Sequence, residues 1–362
     1  MENTFPSFYK DFSCIADKCP DTCCAGWAIV ADSESLKNYH FIKGDFGEKI
    51  RRCISVDEDG DSVFTPQNDR CPFLLESGLC EMYIELGHES LCRTCRQYPR
   101  HITYFGARQE TGLSLSCPEA AKIIMQNSEP IAFETERTLE FPQPTDIDPE
   151  LYFTMLEARK KAITILQNRD FKIEKRICAF LEFSKSISPF VKHLDCAAIK
   201  KAIKTDFFEL APAAFSKRKA NSALKRFFSD FRSLEMLDPS WKIRLSQAES
   251  IDSRHVSEYT ENQRAFEWEY EHLMVCLVFR YFMSAVFDKD LLSKAKFAAV
   301  SFIIIRRLQT SEDAKKESRI KTIQRYSKEV EHSAVNMDFL NSVMKKSRFY
   351  SVENLISLIM EK

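Results

Sequence analysis

Over the last two thirds of the chain, apolar residues return every three or four positions, the spacing that puts them on one stripe of a helix. Asp148–Arg169 (DPELYFTMLEARKKAITILQNR) opens on Asp148 and Pro149, a capping residue followed by a proline suited to a first helical turn. The same period runs through Ile173–Ile187, Ala220–Leu237, Phe266–Phe287, Asp290–Leu308 and Val352–Met360. Phe266–Phe287 is apolar on nearly every face, which predicts a place at the centre of a helical bundle. The first 120 residues show no such run. Short helices are predicted at Ser33–Phe41 and Glu81–Cys95, joined by irregular loops. Asp57-Glu58-Asp59-Gly60-Asp61 reads as a surface turn, because it lacks the spacing and terminal Glu of an EF-hand.

Glycine draws the same division. All eight glycines fall within the first 112 residues, and a sheet-rich domain of 250 residues without one would lack its usual turn chemistry. Pro130, Pro142, Pro144 and Pro149 interrupt any long element around the change. The expected fold is therefore mostly α: an irregular Cys-rich N-terminal cap (1–125) on an all-α helical domain (145–362).

Composition excludes several classes. The chain has 362 residues, 44% hydrophobic and 29% charged, with a net charge of −1. Residues 1–120 carry 12 Lys/Arg against 19 Asp/Glu, and residues 121–362 carry 40 against 34. That asymmetry, −7 against +6, is too mild for a nucleic-acid footprint. Met1–Phe12 has neither the basic nor the apolar region of a secretory signal. The uncharged run Phe297–Ile305 is far short of the roughly 20 residues of a membrane span. A cytoplasmic protein with no nucleic-acid or membrane partner is expected. No G-x-G-x-x-G loop follows a strand, which excludes a Rossmann-type core.

Candidate chemistry lies in the cysteines. Ten of 13 stand in the first 117 residues: Cys14, Cys19, Cys23, Cys24, Cys53, Cys71, Cys80, Cys92, Cys95 and Cys117. In a reducing compartment such a concentration points to soft-metal binding rather than to disulfides. Loops that return thiols from several distances suit a tetrahedral zinc or an iron–sulfur cluster, and the spacing leaves that choice open. Only Cys92-Arg93-Thr94-Cys95 has the C-x2-C spacing of a zinc knuckle, and no C-x3-C-x2-C loop occurs. Neighbouring side chains diverge, so one of Cys23 and Cys24 is expected to ligate while the other packs. Cys178, Cys196 and Cys276 each sit alone on an apolar helical face and read as core.

Several segments together resemble the flagellin lysine N-methylase (FliB) family. They are Asp11-Phe-Ser-Cys14, Cys19-Pro-Asp-Thr-Cys23-Cys24-Ala-Gly-Trp27, Cys71-Pro-Phe-Leu74, Gly78-Leu-Cys80, Thr94-Cys95-Arg96-Gln-Tyr98-Pro99-Arg100 and Leu115-Ser-Cys117-Pro-Glu119. In the helical part they are Phe279-Arg280-Tyr281-Phe282, Phe297-Ala-Ala-Val-Ser-Phe302 and Tyr326–Ser333 followed by Asn336. Cys71–Pro99 is also similar to smaller zinc- or iron-chelating CxxC-type domains. The resemblance implies S-adenosylmethionine-dependent methylation of lysines on flagellin, the protein partner of the bacterial flagellum, and a bound iron–sulfur cluster (4Fe-4S), with zinc as the alternative. It implies Cys14, Cys19, Cys23, Cys24, Cys71, Cys80, Cys95 and Cys117 as the metal ligands. Cys53 and Cys92 stand outside that pattern.

Lysine methylation is attack of a neutral amine on a sulfonium methyl, so the enzyme must align the atoms, exclude water and deprotonate an amine of pKa ~10.4. Tyr326, Glu329 and His332 are the expected catalytic groups. On a continuous helix Glu329, His332, Ser333 and Asn336 would share a face, with Glu331 off it. Arg280, a charge inside an apolar helix, and Asn336 are expected to hold the cofactor. The competing reading is a non-enzymatic metal-binding or redox-sensing interaction protein.

Overall fold

A computed structural model describes residues 1–58, 60–209, 217–312 and 315–361. The chain is mostly helical, but its first part is more ordered than loops alone. It forms seven short strands in two sheets: β1 (Glu2–Pro6), β2 (Ile29–Val30), β3 (Ile54–Val56), β4 (Ser62–Phe64), β5 (Arg100–Phe105), β6 (Arg108–Leu113) and β7 (Phe133–Arg137). The larger sheet runs β5-β6-β1-β7 and the smaller β2-β4-β3. β5 and β6 form a hairpin turning at Gly106, whose φ of 71° is open to glycine without strain. β1 enters parallel to β6 and antiparallel to β7, which ties the N-terminus to the linker after residue 125. Asp57 and Asp61 close the turn between β3 and β4, Asp61 N–H donating to Asp57 Oδ1 at 2.8 Å, and Asp59 of that run lies outside the described residues.

Two separate cores result. The small one gathers Ile29, Ala31, Tyr39, Ile50, Phe64, Phe73, Met82 and Cys92, with Cys53, Cys71, Cys80 and Cys95 packed on it. Asp32 organises it, capping helix Ser33–Phe41 through Ser35 N–H (3.1 Å) and accepting from Arg93 N–H (2.7 Å). The expected helix Glu81–Cys95 is two, Glu81–Leu86 and Arg93–Gln97, because the chain reverses at Gly87 with φ 79°. The large core reaches from Phe12, Leu113 and Cys117 through the whole bundle. By packing, then, the end of β6 and the helix Pro118–Ile124 belong with the bundle, and the separate unit is the stretch from 29 to 95.

Helices Pro149–Leu166, Ile173–Lys192, Glu267–Tyr281, Leu291–Thr310 and Val352–Ile359 stand where periodicity places them. The centre is not Phe266–Phe287, however. In Leu291–Thr310 every residue from Leu291 to Gln309 except Leu292 is buried. In Glu267–Tyr281, Cys276, Arg280 and Tyr281 are only partly covered, because that face turns towards the cap. The run Arg264–Asp288 is long and apolar enough to cross a membrane by length and composition, and 72% of that window is buried within the protein.

A bidentate ion pair fastens cap to bundle. Arg159 donates to both Glu110 oxygens (2.6 and 2.5 Å), each side chain 7% exposed, with the guanidinium 5.1 Å from the Phe279 ring centre. Such a pair is strong only when both partners are present.

Candidate functional site

Where the hairpin β5–β6 meets the last turn of Glu267–Tyr281, polar groups converge from both sides. On the cap side, Ser114 N–H donates to Pro99 O (2.8 Å), and the hydroxyls of Tyr98, Ser116 and Ser114 form a chain with links of 3.1 and 2.8 Å. On the bundle side, Arg280 reaches Ser114 Oγ (3.3 Å) and the Glu331 carboxylate (3.0 Å). Tyr281 O–H donates to the same Glu331 oxygen at 2.5 Å. Arg280 therefore has an internal ion pair.

His101 completes the group. It pairs across the hairpin with Gly112, and its ring occupies the space a side chain there would need: a Cβ on Gly112 would lie 2.4 Å from His101 Nε2. Burial, and then the Arg280 charge, push the His101 imidazole well below its ordinary range, so the ring is neutral at physiological pH. Burial likewise raises the Tyr281 phenol. Burial opposes the Arg280 charge, but Tyr281 and Glu331 beside it hold its pKa above the ordinary value. His101, Arg280 and Tyr281 are strongly desolvated yet only partly covered, Arg280 keeping 24% of its side chain exposed. Together they line the seam, or crevice, between hairpin and helix. It holds a proton acceptor, a cation able to meet a carboxylate, and hydroxyls, among the rings of Phe279, Tyr281 and Tyr98.

The cysteine loop 19–24 lies against this junction. Gln324 Nε2 donates both to Asp21 Oδ2 and to Ser116 O, each at 2.8 Å, and Lys328 pairs with Asp21 at 2.5 Å while lying over the Trp27 ring. All 13 cysteines are free thiols. Burial is the main influence on Cys71 and Cys117, pushing them up to about 12 and about 11. In the pairs Cys23–Cys24 and Cys92–Cys95 each thiol is shifted chiefly by its neighbour, Cys23 and Cys95 upward and Cys24 and Cys92 downward. Among the described residues no three His, Cys, Asp or Glu side chains are gathered as tightly as ligands around an ion. Cys196 is buried in the large core, and Cys178 and Cys276 pack against it.

Of the five residues expected to be catalytic or to hold the cofactor, Arg280 alone is among the groups of the crevice. Helix Lys316–Glu331 stops before Ser333, whose hydroxyl caps the next helix by accepting from Asn336 N–H (3.2 Å), so no single helix carries residues 326 to 336. Tyr326 is in the core, donating to Ser301 Oγ (2.8 Å). Glu329 accepts from the N–H groups of Leu237 (2.9 Å) and Asp238 (3.1 Å), and burial raises its pKa. Asn336 brackets Glu235, accepting from its N–H (2.8 Å) and donating to its carbonyl (2.9 Å). Together they hold the turn at 235–238. His332 is half-buried nearby, its Nδ1 enclosed without a hydrogen-bond partner and its pKa lowered by burial. Glu331, off the expected face, is the carboxylate that reaches the crevice. His101 was also missed, and its signal is the pairing of a histidine with a glycine across a hairpin that periodicity did not reveal.

Residues 159–358 match the family model described as the FliB lysine N-methylase C-terminal domain. Over 210 residues the chain is 28% identical to the lysine-N-methylase of Salmonella choleraesuis (strain SC-B67), covering 54% of this chain and 49% of that one. The lysine-N-methylase of Salmonella typhimurium (strain LT2) gives the same identity and coverage, 28% over 210 residues. The flagellar biosynthetic protein FliU of Salmonella muenchen is 29% identical over 148 residues, 37% of this chain and 83% of FliU. The chain thus spans about half the length of the two lysine-N-methylases. No solved structure matches.

Proposed function

The chain belongs to the FliB lysine N-methylase family, and from that premise we propose that it is a cytoplasmic enzyme that methylates lysine side chains of flagellin with S-adenosylmethionine at the crevice between cap and bundle. The observation that carries this reading is that the family-matched segment brings Arg280, with its partners Tyr281 and Glu331, to the junction where the His101 imidazole stands beside it.

The parts have roles that suit the chemistry. Bound S-adenosylmethionine would supply a methyl group already activated on a sulfonium. Arg280, charged and partly accessible, fits the cofactor's amino-acid carboxylate, with Glu331 and Ser114 fixing the guanidinium. His101 accepts the proton of the incoming lysine ammonium at its imidazole, which requires the ring to be neutral beforehand. Phe279, Tyr281 and Tyr98 exclude water and favour the uncharged amine by desolvating it. The thiols fit a soft metal by donor chemistry, and Cys14, Cys19, Cys23, Cys24, Cys71, Cys80, Cys95 and Cys117 would hold it. No step is assigned to the metal, because methyl transfer between these partners requires no electron change.

The test is intact-mass spectrometry of flagellin from the same organism, incubated with S-adenosylmethionine and the anaerobically purified protein. Mass steps of one methyl are expected with wild type, and a loss of about 100-fold or more in rate with His101→Gln. Unmodified flagellin with folded, metal-bearing wild type would instead support the non-enzymatic reading.

A further inference from the structure

Cys23 and Cys24 are adjacent in sequence but anchored to different parts of the molecule. Upstream, Asp21 is bound to Gln324, which also binds Ser116 O, so the loop holding Cys19 and Cys23 lies beside Cys117 against the bundle. Cys19 closes the turn after Ala16, its N–H donating to Ala16 O (3.1 Å), which folds Cys14 back towards the same place. Downstream, Cys24 O accepts from Cys71 N–H and Gly26 N–H donates to Asp69 O, both at 2.8 Å, pairing this stretch with the chain that enters the small core. There Leu74 bridges Cys80 and Glu81 N–H donates to Phe73 O (2.8 Å), which sets Cys80 beside Cys71. Cys92 and Cys95 lie one turn apart on the same core. Cys117 belongs to the large core, whereas Cys71, Cys80, Cys92 and Cys95 pack in the small one.

We infer that the cap carries two separate soft-metal centres: one on Cys14, Cys19, Cys23 and Cys117 facing the bundle, the other on Cys24 and three of the small-core thiols Cys71, Cys80, Cys92 and Cys95. The inference deepens, and rests on, the reading of a metal-bearing cap. On binding, each ligating thiol releases its proton to solvent and nothing is oxidised or reduced. The vicinal pair then supplies one ligand to each centre, which resolves why two adjacent thiols occur. Cys92, outside the family's cysteine pattern, lies within the second group.

The test is metal and acid-labile sulfide content per chain, on the full chain purified anaerobically, with circular dichroism to confirm folding. Cys23→Ser and Cys117→Ser are expected to lose one and the same part of the metal. Cys24→Ser and Cys80→Ser should lose the other part. Should Cys117→Ser fail to fold, the exposed Cys14→Ser replaces it. Loss of all metal in any folded single variant, or the same loss from Cys23→Ser and Cys24→Ser, would overturn the division while leaving a metal-bearing cap intact. Metal-free wild type would overturn the metal reading itself.

Discussion

Helix Leu291–Thr310 is enclosed by its neighbours along nearly its whole length, and the core around it runs through every long helix of the chain. The hydrophobic cluster of the stretch from 29 to 95 gathers eight buried side chains, and four more cysteines border them. The first region buries enough apolar surface to hold itself together. The second is below the size at which apolar burial alone stabilises a unit, and small units of this kind rely on metals or cross-links. In the cap, thiols border a small cluster of isoleucine and phenylalanine side chains. The crevice lies where these two kinds of core meet.

Five experiments would break or sharpen this contrast. The largest effect is expected from stripping the metal with a chelator under reducing conditions. Amide protection between 29 and 95 should collapse while that of Leu291–Thr310 persists, as read by hydrogen exchange. Equal loss in both would mean that the cores are not independent. Next, Arg159→Met leaves Glu110 buried and unpaired and should cost about 3–5 kcal/mol in urea unfolding. Adding Glu110→Gln should recover much of that loss. Gly112→Ala overpacks the hairpin beside His101 and should cost about 1–3 kcal/mol. Its methyl group displaces the His101 ring, so methyl transfer should fall sharply while the fold remains.

Acid probes each side at smaller amplitude. Burial raises the Asp32 carboxyl, but its bonds from Arg93 and Ser35 outweigh this and hold it at about 2. A carboxyl depressed in the folded state stabilises above its unfolded pKa, so this contribution should fade as pH drops from about 4 to about 2. Asp32→Asn should cost about 1 kcal/mol at neutral pH and remove that dependence, measured by thermal unfolding. His101 obeys the same sign at higher pH. Its depressed pKa favours folding above the ordinary histidine value near 6.5 and loses that advantage as the solution is acidified, so His101→Gln should flatten stability below pH 6.5.

Much of the bundle was legible because long helices carry their own signal: the Asp148 cap, Pro149 and the period after it mark Pro149–Leu166 to within a few residues. The hairpin β5–β6 was not. Gln109, Glu110 and Thr111 are all buried, their polarity met in part by Arg159 and Asn3 across the sheet, so the strand shows no alternation of apolar and polar residues. The site was half legible. Arg280 stood out as a charge in an apolar helix, whereas Glu331 was set aside by helical spacing. That spacing found a real cluster, Glu329 with Ser333 and Asn336, whose bonds hold the turn at 235–238. Periodicity identifies residues that share a face, and which partner that face meets is decided by tertiary packing.

The central claim is that the crevice between cap and bundle receives the methyl donor. Ultraviolet cross-linking of radiolabelled S-adenosylmethionine to the folded chain, followed by peptide mapping, tests it directly. Label is expected on peptides spanning 98–116 and 276–284, and Arg280→Met should abolish it. Label confined to the cavity of about 380 Å³ lined by Lys172, Arg264 and Arg306 would contradict it.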